Sequence, residues 1–149
     1  MENNEVLKLT GRVNYKLFDS NGNLKEERNI NNVVVTVGKA YLATWLTQAT
    51  QATSFMDFIG IGTGSTAASA SDTTLETELA SRATGTLSSI GNIWQSVGNF
   101  PAGTNTGAIT EAGVFSASSA GTMLARQVFA VINKAASDSL QVTWQITLS

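Results

Sequence analysis

Leu140, Val142, Trp144, Ile146 and Leu148 alternate with Gln141, Thr143, Gln145 and Thr147. Successive strand side chains point to opposite faces, so a period of two commits this segment to a sheet with one apolar and one polar face. Leu7 to Phe18 repeats the pattern. Leu7, Leu9, Val13, Tyr15 and Leu17 point one way, and Lys8, Thr10, Arg12, Asn14 and Lys16 the other. Gly11 interrupts the apolar side and marks a bulge or a close approach of neighbouring chain. Asp19-Ser20-Asn21-Gly22-Asn23 reads as a turn, because Asn-Gly tolerates positive φ. "LKEERNINNVVV" then returns as the hairpin partner.

One helix interrupts this text. Val37, Tyr41 and Trp45 recur at i, i+4 and i+8, with Leu42 and Leu46 beside them and Thr36 as the expected N-cap. Gln48 to Ser54, "QATQATS", reads as a loop. Thr73 and Glu76 have capping-box spacing, so a second short helix is expected over Thr73 to Leu79. The remaining strands are expected at Met56 to Ile61, Thr84 to Ser89, Asn92 to Phe100, Ile109 to Phe115 and Met123 to Ile132. Successive strands of the second half have no helices between them, which excludes a parallel α/β sheet. The expected fold is mainly β: a β-sandwich or related barrel of antiparallel strands with one or two short helices. Residues 1–149 form one domain, with Met1 to Glu5 as a short polar arm.

Composition narrows the chemistry. The chain has no cysteine and no histidine. Disulfides, thiolate catalysis and cysteine-bound zinc are thereby excluded, and the commonest general base is missing. Charged residues make up 13% of the chain, about half the usual ~25%. Such a surface lies easily against other protein, because few charges must lose water. The net charge is −2 and no basic block occurs, which argues against nucleic acid. No stretch approaches the ~20 apolar residues of a membrane span, and Met1 to Glu5 is no signal peptide. A soluble protein made in a cytoplasm is the expectation.

"FIGIGTGSTAASASDTTLETELASR", Phe58 to Arg82, resembles the entry to a phosphate-binding loop. Gly60-Ile61-Gly62-Thr63-Gly64 is G-x-G-x-G, with no following Gly-Lys-Ser/Thr, and the expected helix begins too late to cap a phosphate there. The structural reading is a strand ending where neighbouring backbone lies close. Asp72, Glu76 and Glu78 form an acidic cluster without calcium-loop spacing, and Asp72 and Glu76 suit a helix N-terminus. Glu111 sits in the apolar "AITEAGVF" and needs a cationic partner, Arg82 or Arg126. Trp45 and Trp144 lie in apolar stripes and are expected in the core. Trp94, with the loop Pro101 to Gly107, is the one candidate platform for a sugar. No serine has a lysine at S-x-x-K spacing. No catalytic, cofactor-binding or metal-binding residue is assigned.

Two stretches read together carry a resemblance: Ile59 to Arg82, and Gly107 to Leu148, "GAITEAGVFSASSAGTMLARQVFAVINKAASDSLQVTWQITL". They hold a glycine-threonine loop, Asp-Thr-x-Leu and an arginine. An Ile-Thr-Glu-Ala-Gly-hydrophobic-Phe strand, a Met-Leu-x-Arg strand, an Asn-Lys-x-x-x-Asp turn and a Thr-Trp strand follow. Asn32 to Leu46 resembles the leading segment. The set is similar to a family of small tailed-bacteriophage virion structural proteins, spanning head decoration, tail-collar and fibre-attachment domains. The resemblance implies a non-enzymatic, all-β virion component without cofactor, made in the host bacterial cytoplasm. Its partners would be the major capsid protein or tail and baseplate proteins, with a homo-oligomer, a trimer by analogy, in the particle. The chain stops at Ser149 with no shaft repeat, so a capsid decoration (cement) protein is expected ahead of a tail, baseplate or fibre-adaptor subunit. A carbohydrate-binding module is the remaining alternative.

Overall fold

A computed structural model of the chain describes residues 6–47 and 55–149. The expected polar arm and the QAT loop lie outside them. The first hairpin is β1 (Leu9–Phe18) and β2 (Leu24–Val34), and the helix α1 (Thr36–Trp45) follows. Then come β3 (Phe58–Gly62), β4 (Ala83–Thr84), β5 (Thr86–Ile90) and β6 (Ile93–Phe100), and finally β7 (Gly107–Phe115), β8 (Met123–Lys134) and β9 (Ser139–Leu148). Every strand pairing is antiparallel, in the order β4-β3-β7-β8-β2-β1-β9-β6-β5. The two ends of that order, β4 and β5, are consecutive in sequence and joined by Gly85, whose N–H donates to the Asp57 carbonyl. The sheet therefore curls into a nearly closed barrel. Of the two architectures expected, the barrel is the one formed.

The alternation read in the sequence is the barrel's inside and outside. Val13, Tyr15, Leu17, Leu140, Val142, Trp144 and Ile146 are buried in the lumen. Tyr15 stacks on Phe129 with ring centroids 4.2 Å apart. Around β1, β9 and β6 the outer face carries amides and charges, among them a Gln145–Gln95 hydrogen bond of 2.8 Å. The turn at Asp19–Asn23 forms as expected: Gly22 has φ +81, and the Asp19 carboxylate accepts the Asn21 and Asn23 N–H groups. Gly11 marks a close approach, since the Asn32 side chain occupies the space a β-carbon would need there.

On β3, β7 and β8 the outer face is covered as well. The segment 63–82 lies across it, and Leu75 packs with Val35, Phe115 and Met123 in a second apolar cluster. β3, the second half of β7 and the first half of β8 are buried on both faces, which is why their sequence shows glycines and apolar runs where β1 and β9 alternate. One expected element is absent. Thr73 to Leu79 forms turns, bends and a single bridge from Glu78 to Gly62, not a helix. α1 forms, but its N-cap is Val35 and Thr36 is its first residue. Gly38 is the helix's buried position: a β-carbon there would stand 2.6 Å from the Leu124 carbonyl oxygen, so its absence lets α1 lie on β8. Among the described residues no helix is long and apolar enough to cross a membrane.

Trp144 is fully buried at the centre of this lumen. Trp144→Ala is expected to lower unfolding free energy by roughly 3–5 kcal/mol, as for other large buried aromatics. Urea denaturation measures it, and an unchanged midpoint would remove Trp144 from the core.

Candidate functional site

The glycine loop resembles a phosphate-binding loop in sequence, and its expected role was structural. β3 leaves the barrel through Gly62, which pairs with Glu111 on β7. The outer face of these strands is floored by Gly60, Gly62 and Gly113, and the covering segment rests on that floor. A β-carbon at Gly60 would stand 2.6 Å from a Glu78 carboxylate oxygen and 3.3 Å from Leu75. One at Gly62 would strike the Thr77 carbonyl and stand 2.5 Å from Glu111 Oε1; one at Gly64 would stand 2.6 Å from Glu111 Oε1 and from the Glu76 β-carbon. The glycines exist to let backbone and carboxylate approach, as the structural reading of the loop anticipated.

The loop does bind an anion through its amides, but the anion belongs to the protein. Glu111, fully buried, accepts the N–H of Gly64 (3.1 Å) and Thr77 (2.7 Å) on Oε1, and that of Glu76 (3.0 Å) on Oε2. Arg126 on β8 adds Nε and Nη2 to Oε2 at 3.1 and 2.9 Å. Glu76 accepts the Ser65 and Thr66 N–H groups, each at 2.8 Å, and the Thr66 hydroxyl at 2.9 Å. Those bonds, the Thr66 amide foremost, hold its carboxyl below the usual range. Backbone amides converging on one point are what a phosphate would need. Here Glu111 and Glu76 occupy them.

Arg126 completes the brace. Its Nη1 donates to Asp72 at 2.8 Å and its Nη2 to the Thr66 carbonyl at 3.1 Å. Burial opposes its charge, but the hydrogen bonds it donates to Asp72 and Glu111 outweigh this and raise its pKa. Of the two partners expected for Glu111, Arg126 is the one present. Arg82 instead forks onto Glu78 at 2.5 and 3.0 Å, donates to the carbonyls of Ala117 and Ala120, and lies 3.4 Å over the Phe115 ring. The acidic cluster is thereby dispersed: Asp72 meets Arg126, Glu76 meets amides and Glu78 meets Arg82. Asp72 and Glu76 serve no helix N-terminus, since that helix does not form. Among the described residues no group of acidic side chains stands ready for a metal ion.

A second polar knot plugs the far end of the barrel. Lys134, 1% exposed, donates Nζ to the carbonyls of Pro101, Thr104 and Asp138 at 3.0, 2.8 and 2.8 Å. Asp138 in turn accepts Lys25 Nζ at 2.8 Å and the Ala135 N–H at 3.0 Å. Burial lowers the Lys134 pKa, while the hydrogen bond from Lys25 leads the effects that lower that of Asp138. The sequence reading assigned Lys134 no role of its own, though its in-register position two residues beyond the buried Ile132 was a usable signal.

Among the described residues the opposite end is apolar and hollow. A cavity of about 510 Å³ lies between α1, β5 and the lumen, lined among others by Leu42, Trp45, Leu87, Trp94, Leu124 and Ile146. Trp45, expected in the core, stands 41% exposed at its rim. Its helix ends here, over the cavity and not against closely packed core. Trp94 lines the same cavity, at the start of β6, whereas Pro101 and its loop follow the other end of that strand. The sugar platform imagined from the sequence is thus split between the two ends of the barrel. No protein family, curated protein or solved structure matches the chain.

Two outcomes follow. Gly62→Val should cost roughly 1–3 kcal/mol or more through forced displacement of Thr77 and Glu111, read as a lowered thermal midpoint. A normally stable variant would refute the steric role. The carboxyls of Asp138 and Glu76 titrate lower in the folded than in the unfolded chain. Their stabilisation is complete above the ordinary carboxylate range and is lost as pH falls below about 4 through their lowered values. Asp138→Asn should flatten that acid-side decline in melting temperature.

Proposed function

We propose that this chain is a non-enzymatic structural protein of a tailed-phage virion, a decoration (cement) protein of the assembled capsid shell. The observation that carries the reading is where the motif residues stand. Asp72, Arg82, Glu111, Arg126, Lys134 and Asp138 all belong to the stretches that resemble the virion family. Each is engaged within the protein's own braces. The Glu111 carboxylate accepts five hydrogen bonds, so it has no capacity left to take a proton from a substrate. A barrel whose charged motif residues hold it rigid is suited to gripping other macromolecules.

A protein that binds the assembled shell and not its free subunits stabilises the shell by mass action. The test is the copy number in purified particles of the encoding phage, quantified against the major capsid protein. A number in proportion to the shell subunits is expected. A count matching tail or baseplate symmetry would move the protein to the tail, where the same domain would act as an adaptor. Absence from mature particles would overturn the virion reading altogether.

A further inference from the structure

We infer that Arg28 is a latch: its guanidinium clamps a bulge at which β8 changes faces, and its release opens the barrel between β2 and β8 while the other strands stay paired. β8 and β2 are the longest of the described strands, at 12 and 11 residues, yet they pair only at Val33–Arg126 and Val34–Ala125. Where they part, side chains join them. Tyr15, on the strand beside β2, meets Phe129 with ring centroids 4.2 Å apart. Lys25 Nζ donates to the Asp138 carboxylate, in the turn after β8, at 2.8 Å. Between these contacts Arg28 donates Nη1 to the Ala130 carbonyl and Nη2 to the Val131 carbonyl, the latter at 3.0 Å. Glu26, two residues back along β2, pairs with the guanidinium and holds it in place.

The gripped residues lie where β8 is least held on its other side. Its ladder to β7 passes from Ile109–Ile132 to Glu111–Val128, so one residue, Thr110, stands against three: Phe129, Ala130 and Val131. Residues two apart on a regular strand share a face. Ile109 and Glu111 do not. Ile109 belongs to the luminal cluster, while Glu111 lies under the covering segment and accepts its amides. On β8, Arg126 likewise faces the brace, and Ile132, six residues on, faces the lumen. A bulge re-aims side chains in this way. This one lets Glu111 and Arg126 serve the outer layer while Ile109, Phe129 and Ile132 serve the core. The two carbonyls that Arg28 takes lie within it, and a guanidinium, with its donors in a fixed fork, suits two adjacent carbonyls. Ala130 and Val131 are exposed, so a released bulge moves into water without displacing core. Sparse backbone pairing and exposed flanks mark the part of a fold that opens first. The latch does not depend on the virion reading.

The test is proteolysis of the folded full chain with chymotrypsin, which cuts after aromatic residues; Phe129 is the aromatic residue of the bulge. Cleavage of a locally opened chain tracks the population of the open form. Arg28→Gln removes the charge and the fork, and should be cut after Phe129 about tenfold faster than the unaltered chain, the scale of a lost hydrogen bond from a charged donor. Cleavage at the other aromatic residues should keep its rate. Hydrogen exchange of the unaltered chain gives an independent reading: amides of the β7–β8 ladder that flank the bulge should exchange ahead of those in the β1–β9 ladder. Equal cleavage after Phe129 in the two proteins, a rise shared by every aromatic site, or simultaneous exchange along both ladders would overturn the inference. Should Arg28→Gln fail to fold, the exchange of the unaltered chain decides alone.

Discussion

The carboxylate of Glu111 and the guanidinium of Arg126 meet in a place where neither has access to water, and the rest of the molecule is arranged so that they can. A buried pair of ions is favourable only when its remaining hydrogen-bonding capacity is filled. Here three loop amides fill Glu111, while Asp72 and the Thr66 carbonyl fill Arg126. Those partners come from a segment with no regular structure of its own. The pair therefore determines where 63–78 lies, and the segment determines that the pair is dry. Neither arrangement stands without the other.

The glycine floor follows from the same constraint. To bring Thr77 and Gly64 within hydrogen-bond reach of Glu111, the covering chain must rest on the sheet with no side chain between. Gly60, Gly62 and Gly113 provide that clearance, and Leu75 fills the shallow space left over. The barrel is thus two layers thick on β3, β7 and β8 and one layer thick on β1, β9 and β6. The thick side is held by charge and amide geometry, the thin side by luminal packing around Trp144. The two ends differ as well: a lysine bound to three carbonyls closes one, and the described residues of the other surround an apolar cavity.

This division explains what was legible in the sequence. On the thin side each strand reports its own environment through a period of two, so β1 and β9 could be read residue by residue. The hairpin turn was legible because Asn21-Gly22 carries a local backbone requirement. The thick side obeys no local rule. Thr73 and Glu76 have the spacing of a capping box, yet Glu76 is taken by amides eleven and ten residues upstream and no helix forms. Propensity lost to a tertiary contact that no local window contains. Glu111 was recognisable as a charge in need of a partner. The choice between Arg82 and Arg126 was not, because it depends on β7 and β8 aligning Gly113 with Arg126. Trp45 misled for a related reason: the helical stripe is real, but its last member faces a cavity and not packed core.

The positions of the sequence motifs acquire a physical meaning from these facts. Asp72, Glu111 and Arg126 form the brace, Gly60, Gly62 and Gly113 its floor, and Lys134 and Asp138 the lysine knot. All three are requirements of folding, and a fold can host unrelated tasks. The motifs therefore speak first for architecture. The brace exerts no constraint on β5, the rim of the cavity or the outer faces of the thin side, and Gly85 to Thr106, which contains β5 and β6, carries no charge that would fix it to the brace.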